Sequence, residues 1–92
     1  MSDTELRRHI RTKLLIGELP SRPPFTTRGA RATKMRCAAC DLKIETVWEM
    51  KVESADGRAR SYHLPCYDVV VAEREVLRRA EATGPGFRRV AR

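Results

Sequence analysis

Four residues in two short pieces have the types and spacing to hold a metal ion: Cys37-Ala38-Ala39-Cys40 and His63-Leu64-Pro65-Cys66. Each piece sets two donors three positions apart, close enough for both side chains to grip one ion. Three thiolates and one imidazole make a set that suits tetrahedral Zn²⁺ and leaves no coordination position open. The chain has three cysteines and two histidines, so this arrangement uses every cysteine and leaves only His9 over. Chance readily produces one Cys-x-x-Cys, but rarely adds a His-x-x-Cys with no stray cysteine outside the pattern. The expectation is one structural Zn²⁺ on Cys37, Cys40, His63 and Cys66. A redox Cys-x-x-Cys needs a βαβ setting that this chain does not offer. A disulfide framework would strand one of the three cysteines.

The elements that must position these donors follow from pattern. Ser2-Asp3-Thr4-Glu5 reads as a capping box, and Leu6, Ile10 and Leu14 then recur every four residues. This predicts a helix over 3–16 that stops at Gly17. His9 sits beside the apolar stripe and reads as a packing or surface residue rather than a ligand. Pro20, Pro23 and Pro24 break periodicity after the helix, so 18–36 is expected to be a basic linker. From Ile44 to Glu53 the pattern has period two, which predicts a half-buried strand with Glu45, Glu49 and Glu53 on a charged outer face. Trp48 on that strand reads as the core anchor of a small hairpin.

Asp56-Gly57 supplies the pair a type I′ turn prefers, which sets Glu53 opposite Arg60 and Val52 opposite Ser61. The return strand, 58–62, runs into His63. Pro65 then fits the first turn of a second helix, with Val69, Val76, Leu77 and Ala80 as its inner stripe. Glu73 falls inside that stripe and calls for an arginine partner from the N-terminal segment. Thr83-Gly84-Pro85 ends the helix, and the remainder reads as a basic tail. The chain thus divides into an N-terminal helix (1–17), a linker (18–36), a Cys₃His finger (37–83) and a tail (84–92). The fold class is small α+β: helix, zinc knuckle, β-hairpin, helix.

Ninety-two residues make one domain with a marginal core, and metal is a usual remedy at that size. The net charge of +7 is uneven: +6 over 1–36, −1 over 37–67 and +2 over 68–92. The basic charge therefore sits in the flanks, a footprint that suits a polyanion. No apolar run approaches the roughly 18 residues that cross a bilayer. The N-terminus lacks an apolar signal core, so the expected location is the cytoplasm.

Knuckle, hairpin and helix, with two donors on the knuckle and two at the helix start, resemble a treble-clef zinc finger over about 35–83. The 22 residues between Cys40 and His63 are similar to the spacing of the first half of a LIM domain. A LIM domain goes on to a second finger, and this chain has no further cysteine or histidine for one. The nick-sensing finger of poly(ADP-ribose) polymerases also looks like this pattern, with a longer loop. The chain as a whole resembles small bacterial zinc-finger proteins, a likeness that brings no function with it.

The resemblance implies that Cys37, Cys40, His63 and Cys66 are zinc ligands. A filled tetrahedron and no second constellation argue against catalysis and against a small-molecule substrate. The expected function is a non-catalytic zinc module, perceived here as binding nucleic acid through Arg7, Arg8, Arg11, Arg22, Arg28, Arg31 and Lys34, as a small transcriptional regulator would. The alternative is a protein-interaction adaptor with a LIM-like finger.

Overall fold

The computed structural model describes residues 2–31, 35–44 and 49–83. Helix α1 spans Asp3–Ile16 and is closed at both ends by the predicted devices. Ser2 Oγ accepts from the Glu5 amide at 3.1 Å, and Glu5 Oε1 accepts from the Ser2 amide at 2.9 Å. Gly17 ends the helix at φ 86°, where a side chain would strain the backbone. Ser2→Ala removes one half of this box and is expected to cost about 1 kcal/mol. A lower urea midpoint with an unchanged slope would register it.

Five strands follow: β1 (Thr26–Arg31), β2 (Met35–Arg36), β3 (Lys43–Ile44), β4 (Glu49–Ala55) and β5 (Arg58–His63). Helix α2, Leu64–Thr83, closes the described chain. β1, β4 and β5 form an antiparallel sheet in the order β1-β4-β5, while β2 and β3 pair as a separate small hairpin. The turn between β4 and β5 has Asp56 at φ 55° and Gly57 at φ 75°, as an Asp-Gly hairpin requires. Val52 lies opposite Ser61 and Glu53 opposite Arg60, the register expected from that turn.

Three expectations are corrected first. The segment 18–36 is not a bare linker, because Thr26–Arg31 adds a strand to the sheet beside β4. The strand expected over 44–53 is not one strand: Ile44 belongs to the β2–β3 hairpin, and β4 begins at Glu49. Trp48 and Glu45 lie outside the described residues, as does the tail 84–92. On α2, Val69 and Leu77 of the predicted stripe do pack against the core, beside buried Val70, Cys66, Glu73 and Arg74, whereas Val76 and Ala80 are exposed. The buried face is therefore turned from the predicted stripe toward two charged residues.

Those two charges explain the turn. Glu53, expected on a solvated face, is 1% exposed because α2 lies over that side of β4. Arg74 donates from Nη1 and Nη2 to its two carboxylate oxygens, each at 2.6 Å. The hydroxyls of Tyr67 and Tyr62 donate to the same group at 2.7 and 3.2 Å. The guanidinium also bonds Pro20 O at 2.8 Å and stacks over Phe25, 4.1 Å from the ring centre. Arg60 faces Glu53 in register but does not take its carboxylate, and its Nη1 is buried with no hydrogen-bond partner among the described residues. Glu73, 1% exposed, pairs with Arg11 of α1 at 2.8 Å, so an N-terminal arginine does satisfy it.

The apolar core gathers Ile10 and Leu14 of α1, Leu19, Ile44, Met50, Val52, Tyr62 and Val70 around the three cysteines. Among the described residues, no helix is long and apolar enough to cross a membrane.

Candidate metal centre

The knuckle is a tight turn over 37–42 between β2 and β3. The Cys37 amide donates to Leu42 O at 2.9 Å, and the Asp41 amide donates to Cys37 O at 2.9 Å. Asp41 takes φ 67°, a left-handed conformation that aspartate tolerates better than most residues. The Ala38 amide then bonds Ser61 O at 2.8 Å. That one bond ties the knuckle to β5 two residues before His63. β5 runs straight into α2, so His63 ends the strand and Cys66 occupies the first helical turn. The two donor pairs are in this way brought face to face.

Cys37, Cys40, His63 and Cys66 each offer one donor atom, and these atoms all lie within 4.8 Å of one another. His63 Nδ1 is 3.5 Å from Cys40 Sγ and 3.8 Å from Cys66 Sγ. Bonds of about 2.3 Å to sulfur and about 2.05 Å to nitrogen give a tetrahedral S···N edge of about 3.6 Å. The observed separations bracket that edge. The ring presents Nδ1, not Nε2, to the sulfurs. All three sulfurs are unbonded to one another, and their residues are buried.

Crowded thiols resist ionising together. The Cys37 thiolate is held down to about 4 by donation from the Cys66 thiol and by the Cys40, His63 and Ala39 amides, against the opposing effect of burial. Burial, then the nearby Cys37 charge, pushes Cys40 up. Cys66 is pushed up by its bond to Cys37, and then by burial and by the charge of the other two sulfurs. The set is thus arranged for one thiolate alone. A cation at its centre would reverse that order by favouring all three anions. The four residues form a site that could hold one metal ion.

No family model, curated protein or solved structure matches the chain. The reading of the site therefore rests on its own donors and distances.

Among the described residues, three of the arginines expected at a nucleic-acid interface have carboxylate partners within this chain. Arg7 pairs with Asp3 at 3.1 Å, Arg11 with buried Glu73 at 2.8 Å and Arg22 with Glu81 at 3.2 Å. Arg8 is exposed on α1, within electrostatic reach of Glu5. Arg28 is exposed on β1, opposite Val52. The Arg31 side chain and all of Lys34 lie outside the described residues.

Two basic residues outside that expected set stand closer to the metal centre. Arg36 and Lys43 face each other across the β2–β3 hairpin, both exposed, with no carboxylate partner among the described residues. Reading 44–53 as one strand concealed this pairing. The tight Cys-x-x-Cys turn was the available signal, because such a turn returns the chain on itself and sets its two flanks side by side.

Proposed function

We propose that this protein is a non-catalytic module built around one structural Zn²⁺ and that it binds nucleic acid. A Cys₃His set is the donor chemistry zinc takes in closed structural sites, and it leaves no position for a reactive water. The order of knuckle, hairpin and helix supports a treble-clef-like finger. When bound, the ion would supply stability and fixed geometry rather than chemistry.

The observation that carries the nucleic-acid reading is the Arg36–Lys43 pair. Like charges directly opposite in a hairpin are destabilising, and a phosphate between them relieves the repulsion. Exposed Leu42, next to Lys43 in the knuckle turn, offers apolar contact to a base or sugar. Arg28 and Arg8 are the expected contacts that have no carboxylate hydrogen bond among the described residues. Arg7, Arg11 and Arg22 are removed from the proposed interface because carboxylates of this chain already hold them.

The test is a titration of labelled duplex DNA and of RNA with zinc-loaded protein between 50 and 200 mM salt, conditions chosen for the steepness of phosphate binding. Log K should fall against log salt by about 0.9 per phosphate contacted on a duplex. Arg36→Gln with Lys43→Gln should lower that slope by about 1.8, two contacts' worth. Absence of salt-dependent binding by the native protein would defeat the reading.

One observation favours a second reading, a protein adaptor. An open groove runs between α1, the 21–25 segment and α2, lined by Leu15, Phe25, Val71 and Leu77. Leu15 is 68% and Val71 48% exposed. Arg22–Glu81 and Arg78–Glu75 leave the rim balanced in charge, which suits the apolar face of a partner's helix about three turns long. Binding of such a partner with no affinity for nucleic acid would move the assignment there.

A further inference from the structure

Lys13 is an unusual residue to find inside the contact between α1 and the knuckle. Its side chain is 9% exposed, although a methionine or leucine would fill that place at lower desolvation cost. The ammonium donates to Ala38 O at 2.8 Å and to Asp41 Oδ1 at 2.6 Å. Ala38 lies between the two knuckle cysteines, and Asp41 directly follows the second. One side chain therefore clamps the turn on both sides of Cys40. His9, one helical turn earlier, meets the other oxygen of Asp41 at 2.8 Å. From the opposite side Arg36 Nη1 donates to Asp41 O at 2.6 Å.

We infer that Lys13 is a positioning residue for the metal centre, a role that rests on the zinc reading above. It fixes the knuckle in its ligating shape in the folded, metal-bound state, so its loss leaves a looser and weaker site. It also sets a positive charge beside a centre that carries one net negative charge when three thiolates meet a divalent ion. The N-terminal helix, which contributes no ligand, becomes part of the site through this contact.

The test measures Zn²⁺ affinity by chelator competition at fixed pH, and the absorption of the Co²⁺-loaded protein, for the full chain and three variants. Lys13→Met should bind at least tenfold more weakly and shift the Co²⁺ bands. Leu14→Ala loosens the same helix without removing a hydrogen bond to the knuckle, and should leave the bands in place. Asp41→Asn keeps the left-handed turn while removing the charge that Lys13 meets, and should weaken binding at least threefold. It serves as the deciding variant if Lys13→Met does not fold. A smaller loss, or one matched by Leu14→Ala with no change in the bands, overturns the role of Lys13. A native chain that takes up no zinc at all would instead defeat the zinc reading.

Discussion

Removing the metal with a strong chelator is expected to unfold the centre of this protein. Structural zinc contributes about 10–16 kcal/mol of apparent binding free energy in small finger peptides at neutral pH, against about 5–15 kcal/mol for the whole stability of a typical domain. The core here is small, and three of its buried members are the cysteines themselves. Without the ion, nothing draws three sulfurs and an imidazole together, and any thiolates among them repel one another. Helicity at the start of α2 and exchange protection in β4 and β5 should be lost together on chelation and return with zinc. Far-UV dichroism and amide exchange that do not change would contradict this.

Acid should have the same effect as the chelator. In the metal-free, unfolded centre the three ligand thiols have the ordinary cysteine value of about 8.5 and hold their protons near neutral pH until a metal displaces them. Near neutral pH, binding therefore releases about three protons, and log K should rise by about three for each unit of pH. Affinity is greatest at high pH and falls as the solution is acidified. A competition assay at three pH values gives that slope.

The second large effect is expected from Glu53→Ala. It leaves the Arg74 guanidinium buried without its carboxylate and deprives two tyrosine hydroxyls of their acceptor. Breaking a buried pair from one side costs about 3–5 kcal/mol, a large share of the stability of a domain this small. Glu53→Leu with Arg74→Met should recover part of the loss, because two apolar side chains need no partner. Recovery stays incomplete while Tyr62 and Tyr67 lack an acceptor. Burial alone would raise the Glu53 carboxyl, but Arg74 and Tyr67 outweigh it and hold the group below its ordinary value. Its contribution is therefore complete above the ordinary glutamate range and is lost as pH falls through the lowered folded value. Urea midpoints of the zinc-loaded variants measure all of these.

The cluster of four side chains that could hold a metal was legible in the sequence because it is written in residue type and short spacing. The capping box of α1 and the Asp-Gly turn were legible for the same reason: each is decided within about four residues. What escaped was decided at long range. Thr26–Arg31 has no apolar alternation and follows three prolines, yet it forms a strand because β4 offers it an edge. Glu53 alternates with apolar neighbours as a surface residue would. Only the arrival of Arg74, far along the chain on a covering helix, turns it into a buried ion pair. The same pair rotates α2, so Val76 and Ala80 point outward although their spacing suggested a core stripe. Arg36 and Lys43 looked like unrelated charges on either side of a turn, and the knuckle makes them neighbours. That helix α1 reaches the knuckle through Lys13 and His9 could not be read from the spacing of either segment.

X-ray absorption at the zinc edge of the purified, folded protein tests the central claim most directly. The account predicts one zinc per chain, bound by three sulfurs near 2.3 Å and one nitrogen near 2.05 Å, values typical of closed zinc sites. A folded protein free of metal, or a shell made mainly of oxygen, would contradict it.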